Sequence, residues 1–440
     1  MSKKLVLAMA IGLFSAQSFA ASFGVFDPRS LAMGGTGVAS GDASNASHYN
    51  PALLATTHED DDFSLVIPTV AVGISDPDDL EDAFDAYDAA NYETVLDSAI
   101  ANYNATPANF AALQANAGAV ATASQNILTG INTLSNKSVV INANAGVLLA
   151  VPGETVAVSV YSAGRVHGGA VLNISSADNA LLQDYIDTLA CISDAATVDL
   201  ADIIACDSGT TTDVLNDADG TFNSTDTANA LTSTVDLRGA VITEVGVSLA
   251  SKFESLGGIA IGITPKAVEV DTFDSSLGID TGDIDIDAFR RSYSDTNIDV
   301  GAAMKINENF KVGLVAKNII SKTYQTIGNK STLKLEPQYR AGVAYQNDWV
   351  LLSADLDLTE NKGLGFETKS QIAAIGVELD IWDTLQLRAG YSHNMANETA
   401  ADDGIASVGV GLSPFGIHLD LAVASSNAGI QGGFQLGFKF

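Results

Sequence analysis

Basic residues are scarce in this sequence. Lys and Arg together number 21 against 53 Asp and Glu, a formal net charge of −32 over 440 residues. No basic patch can form to neutralise a phosphate backbone, which excludes nucleic-acid binding as a main role. Cysteine is scarcer still. Cys191 and Cys206 are the only two, too far apart for a CxxC redox pair; in an oxidising compartment they predict one loop-closing disulfide, two free thiols being the other possibility. Past residue 20 no window of eighteen or more apolar residues occurs, which argues against a helical membrane protein. HExxH and GxSxG are both missing, and His48, His58, His167, His393 and His418 are dispersed along the chain. No catalytic constellation stands out, and neither an enzyme activity nor a cofactor is expected.

What is present is an apolar chain despite its charge: 47% of residues are hydrophobic and the mean hydropathy is +0.20. Strands that alternate apolar with small or polar residues reconcile the two values. Residues 1–20 read as a secretory signal peptide, with Lys3 and Lys4 as the positive n-region, Leu5 to Phe14 as an h-region too short to span a bilayer, and small residues at Ser18 and Ala20 for cleavage.

Period-two apolar faces predict fourteen strands: 63–73, 139–151, 155–164, 237–253, 259–270, 297–306, 310–320, 332–345, 349–358, 370–381, 385–393, 405–412, 417–425 and the C-terminal segment. The connections after the second, fourth, sixth, eighth, tenth and twelfth strands are short, and those after the first, third, fifth, seventh, ninth and eleventh are longer. That asymmetry of short periplasmic turns and long extracellular loops predicts an all-β, 14-stranded antiparallel transmembrane β-barrel of the bacterial outer membrane, with both termini periplasmic. Two insertions, 76–137 and 176–236, interrupt it; by parity both are extracellular, and 79–100 carries a helical pattern. One face of the strands is wet (Gln338, Arg340, Lys311, Lys317, Glu378, Asp380, Arg388, His418, Asp420), whereas Trp349 and Trp382 suit an interfacial girdle. The acidic runs, such as Asp283, Asp285 and Asp287, lack the spacing of a calcium loop and read as solvated surface, with cation bridging to lipopolysaccharide as the other possibility.

In the last strand Phe434, Leu436, Phe438 and Phe440 share one face, and Gly433, Gln435, Gly437 and Lys439 the other. The pattern resembles the C-terminal assembly signal of outer-membrane barrels. That implies recognition by the barrel-assembly machinery and contact with outer-membrane lipid and lipopolysaccharide; a half-buried edge strand of a soluble sheet is the bland alternative.

Residues 21–62 have no strand pattern and form a predicted N-terminal plug ahead of the barrel, residues 63–440. Gly35-Thr36-Gly37 lacks the third glycine and the preceding strand of a nucleotide loop. The glycine run, then ASNASHYNPA with Asn50, Pro51 and Ala52, then the first strand, resembles the hatch of the FadL-type long-chain fatty acid transporter superfamily. Within it, FDPRSLAMGGTGVAS and YNPALLA are most similar to the conjugal-transfer TraF-like group. The resemblance implies passive uptake of a hydrophobic small molecule such as a long-chain fatty acid, passed along the plug near Asn50, Pro51 and Ala52. It also implies an inward kink in the third strand as a lateral exit. Gly164, Gly168 and Gly169 are the candidates here; the alternative is that Gly164 simply ends the strand. The second functional expectation is a conjugation-associated or surface protein whose insertions bind a partner without transport.

Overall fold

A computed structural model describes residues 25–56, 62–105, 110–195, 200–207, 214–215, 221, 232–278, 286–329, 331–361, 369–382, 384–396 and 404–439. The signal peptide and Phe440 therefore lie outside the described residues, as do Asp283 and Asp285. Fourteen antiparallel strands close into one barrel: β1 (Ser64–Ser75), β2 (Ser138–Val151), β3 (Ala157–Asn173), β4 (Thr234–Phe253), β5 (Ile259–Gly278), β6 (Arg290–Lys305), β7 (Phe310–Lys317), β10 (Gln338–Gln346), β11 (Val350–Asp357), β12 (Ile372–Ile381), β13 (Leu385–Asn394), β14 (Ile405–Leu412), β15 (Ile417–Ser426) and β16 (Gly429–Lys439). Each pairs with its neighbour in order, and β1 pairs with β16 to close the ring. Closure leaves no unpaired edge, the condition for a sheet to sit in hydrocarbon.

Alternation decides which face goes where. Along β5, Ala260, Gly262, Thr264, Lys266, Val268 and Val270 point inward and are buried, while Ile261 and Ile263 point outward and are more than 40% exposed. The same outward exposure recurs at Val247, Leu314, Val343, Leu352, Ile375, Val408, Leu421 and Phe434. A continuous apolar belt of this kind is intelligible only against lipid. Phe415 stands exposed at the turn end of the wall, and Trp349 and Trp382 stand exposed there at the mouth of the lumen.

Three details differ from the reading of the sequence. Thr332 does not begin a wall strand. Pro337 has no N–H to offer a ladder, and it separates β10 from a small hairpin of β8 (Lys322–Gln325) and β9 (Thr332–Leu335) that pairs only with itself. Second, β3 to β6 run to 16–20 residues, longer than the 9–11 that cross a bilayer, and raise one side of the wall beyond the membrane. Third, β3 does not end at its glycines, and its pairing is unbroken there. Gly164, Gly168 and Gly169 pair in unbroken register with Ala145, Ile141 and Val140 of β2 and with Thr243, Gly239 and Arg238 of β4.

The register break lies elsewhere. Between Val66 and Thr69 the pairing of β1 shifts by one residue against both β2 and β16, so β1 carries one extra residue at Ile67–Pro68. A proline inside a wall strand is at home in a bulge.

The insertions come together. β1–β2 and β3–β4 are adjacent pairs, so the two long connections leave the same rim side by side. Helix Phe110–Leu134 of the first, with Tyr92–Asn104 packed against it, lies on Ser176–Asp194 of the second. Their shared core includes Tyr103, Leu113, Val120, Leu189, Ile192 and Leu215. The Cys191–Cys206 disulfide ties Ser176–Asp194 to helix Leu200–Asp207. Asp178, in the first turn of its helix, is buried and accepts the backbone N–H groups of Thr232 (2.8 Å) and Ser233 (2.7 Å) together with both their hydroxyls.

Candidate functional site in the barrel lumen

The plug fills the lumen because its backbone is admitted by glycines on the wall. Helix Pro28–Ala32 is N-capped by Asp27, whose side chain accepts the Ser30 N–H at 3.1 Å. It lies against Gly409 and Gly433, and Met33 lies against Gly376 and Gly390. A second wedge, the 3-10 turn Pro51–Ala55, is capped by Asn50, whose Oδ1 accepts the Ala52 N–H at 3.1 Å. The Asn50 amide donates to the Val38 carbonyl at 2.9 Å and to the Ala302 carbonyl of β6 at 3.1 Å. Gly301 and Gly313 leave room for it, and Gly262 for Pro51 and Ala52; a Cβ at any of the three would run into the plug. Asn50, Pro51 and Ala52 are thus wholly buried at a plug–wall joint.

Ion pairs lock the plug further. Arg29 donates to both carboxylate oxygens of Glu378 on β12, at 2.8 Å from Nε and 3.0 Å from Nη2. Arg388 shares Glu378 at 2.6 Å and also pairs with Asp420. Arg29 meets Asp42 of the plug at 3.6 Å. On the neighbouring strands Arg340 of β10 pairs with Asp357 of β11 at 2.6 Å, and Asp355 of β11 accepts the N–H groups of Gly37 (2.8 Å) and Val38 (3.0 Å). The wet inner face expected from the sequence is therefore mostly a set of closed ionic contacts.

Above the Pro51–Ala55 wedge the lumen is layered. Phe26, Tyr49, Leu53 and Leu54 of the plug pack with Val66, Leu148 and Tyr161 of the wall. Next comes a charged layer. Lys266 lies between Glu244 and Asp299, 3.0 Å from each, all three fully buried. Lys317 donates to the His48 carbonyl at 2.8 Å. Arg165 on β3, 5% exposed, holds its guanidinium 5.8 Å from the centre of the Phe26 ring, and His48 stacks on the other ring contact of Phe26 at 3.7 Å. Arg165 makes no hydrogen bond or ion pair among the described residues. Beyond this layer, Tyr324, Leu333 and Leu335 of the β8–β9 hairpin cover Ile242, Val268 and Val270 of the wall, closing the lumen from the loop side.

The candidate residues fall in different places. Gly168 and Gly169 lie in the loop-ward half of β3, and Gly164 adjoins Arg165. Phe434 (39% exposed), Leu436 and Phe438 lie on the outer face of the closing strand, with Gln435 buried inside. Cys191 and Cys206 are in the cap. Arg165 was missed as a site, although a charge among the small residues of a strand was its visible signal; the bulge was missed although Pro68 marks it.

Comparison with solved structures finds several that align over most of this chain. The toluene transporter TbuX of Ralstonia pickettii is 13% identical, with 95% of this chain and 100% of that one covered at a TM-score of 0.49. A Pseudomonas aeruginosa FadL homologue is 11% identical, with 97% and 99% covered at 0.47. The toluene transporter TodX of P. putida is 10% identical, with 95% and 99% covered at 0.45. No curated protein matches the sequence. A family model does match, across residues 47–357, from the end of the plug through β11, and the chain belongs to the family described as the F plasmid transfer operon TraF protein.

Proposed function

We propose that this chain is an outer-membrane channel that passes a hydrophobic molecule with an acidic head, of the long-chain fatty acid class, without energy input. The observation that carries the reading is Arg165. Its guanidinium is buried beside the Phe26 ring with no side-chain hydrogen bond or ion pair among the described residues, at the boundary between the apolar layer and the charged layer of Glu244, Lys266 and Asp299; a ligand carboxylate would supply the hydrogen bonds it lacks while an alkyl tail lay along the apolar layer. The outward apolar belt supports a bilayer setting. By the parity of the connections, the termini and short turns face the periplasm. The outer face of β16, with Phe434, Leu436 and Phe438, supports engagement by the assembly machinery.

The cap and the β8–β9 hairpin would admit cargo from the cell surface. Its release sideways is favoured at the β1 bulge, where the ladder is interrupted on both sides and Val66 and Leu148 of the apolar layer lie directly behind it. Binding of a fluorescent long-chain fatty acid to the detergent-solubilised protein tests the reading. Arg165→Met should weaken binding by at least tenfold while heat-modifiable gel mobility stays that of the folded barrel. Equal binding by the variant would contradict it.

A second reading has its own support. The plug is held to β12 by the buried Arg29–Glu378 ion pair and to β11 by Asp355, and the two insertions form one cap with a shared core, an arrangement suited to a surface protein that binds a partner, in keeping with the conjugation operon in the family's description. An assembled barrel that neither binds nor passes an apolar acid would favour it.

A further inference from the structure

At the turn end, below the plug, the barrel opens into a vestibule of about 1120 Å³. Two lysines face each other across one wall of it. Lys305 ends β6 and Lys311 lies on β7, and the ladder places them as direct cross-strand partners. Both line the vestibule, on the inward face shared with Gly301 and Gly313. Like charges directly opposite in a sheet destabilise it. Among the described residues neither lysine has a hydrogen bond or an ion pair. Five acidic residues line the same vestibule, and none of them forms an ion pair with either lysine: Asp42 is held by Arg29 (3.6 Å) and by the Ser44 hydroxyl (2.6 Å), with Lys439 at 4.0 Å, Glu378 by Arg29 and Arg388, Asp380 accepts from Gln386, and Glu308 and Asp348 stand exposed in the turns. In a chain with so few basic residues, an opposed and unanswered pair is a selective arrangement.

We propose that Lys305 and Lys311 form a docking site for carboxylates on an acidic peptide segment of a periplasmic partner. The volume favours a segment of chain over a lone ion, since a single carboxylate or phosphate would leave most of the space to water. The amide side chains of Asn307, Asn309 and Gln346 beside the lysines can serve a peptide backbone, donating to its carbonyls and accepting from its N–H groups. The site is separated by the plug from the Arg165 layer and does not depend on what that layer binds.

The chain supplies its own reporter, because its two tryptophans, Trp349 and Trp382, both line this vestibule. The full-length protein in detergent micelles should show a saturable change in tryptophan fluorescence on titration with an octapeptide of alternating Glu and Gly. The response should weaken at least tenfold in the Lys305→Gln/Lys311→Gln double variant, and as salt is raised from low to physiological strength. An octapeptide of alternating Lys and Gly should give no such response. Because the double variant relieves repulsion, it should fold at least as well as the parent, which heat-modifiable mobility checks. Unchanged peptide binding by the double variant would overturn the proposal, as would absence of binding by the parent. Saturation by inorganic phosphate or by short-chain phosphatidylglycerol, with none by the peptide, would reassign the lysines to a free anion or a lipid headgroup and also overturn it.

Discussion

Arg29 of the plug and Glu378 of β12 form a two-pronged contact, 2.8 Å and 3.0 Å, across a sequence separation of 349 residues. It ties the second residue of the first plug helix to a strand late in the chain. Removing one partner of a buried ion pair leaves the other uncompensated, at a cost of about 3–5 kcal/mol. Glu378 keeps Arg388, so Arg29→Met should fall near the lower end. Amide exchange across 28–55 should then accelerate while that of the barrel strands does not. Equal acceleration in both would mean that the plug is not an independently loosened unit.

The wall glycines make a steric prediction. Gly301→Val would place a side chain where Asn50 now sits. Overpacking of this kind costs about 1–3 kcal/mol. The ladder positions of β6 need no glycine, so the barrel should close while the Pro51–Ala55 wedge is displaced. Ion conductance in planar bilayers should rise over that of the parent. Parent-like conductance would mean that the seal rests on the other plug contacts.

The bulge and the β3 glycines can be compared directly. Deleting Pro68 removes the one extra residue of β1 and restores a continuous register with β2 and β16. If release is lateral at this point, uptake should fall at least tenfold in a barrel that still assembles. Gly168→Val with Gly169→Val, in an already regular ladder, should leave uptake near the parent level. The reverse pattern would return the exit to β3.

The cap carries a pH dependence. Burial alone would raise the Asp178 carboxyl, but the hydrogen bonds from Ser233 and Thr232 outweigh it and hold its pKa below the ordinary 3.8. A depressed carboxylate contributes stability that is present above its unfolded value and lost as pH falls through the folded one. Protection of the 232–233 segment should therefore be constant from neutrality down to about pH 4 and weaken at more acid pH. Asp178→Ala should cost about 1–3 kcal/mol and abolish that acid dependence. An unaltered acid profile in the variant would locate the effect in another carboxyl.

The strand count was legible because alternation and turn residues repeat with little ambiguity, as at Pro152-Gly153 and Asn347-Asp348. Leu333 and Leu335 misled because a hairpin folded into the lumen has the same period-two pattern as a wall strand; only Pro337 separates them. The β3 glycines suggested a break, yet glycine also pairs in a regular ladder, and the flanking Arg165 and His167 keep to the inward face. The meeting of the two insertions had no local signal, since it follows from β1–β2 and β3–β4 opening on the same rim. Asn50 was legible as a motif, but its work as a cap and a wall anchor depends on Gly301 and Gly313, about 250 residues away.

The central claim is passage of an apolar acid past Arg165. The most direct measurement is uptake of a labelled long-chain fatty acid by cells that lack their own outer-membrane transporter and express either this chain or its Arg165→Met variant, with surface assembly checked by heat-modifiable mobility. The account predicts uptake with the parent chain and at least a tenfold loss with the variant. No uptake from an assembled parent barrel, or equal uptake by both, would contradict it.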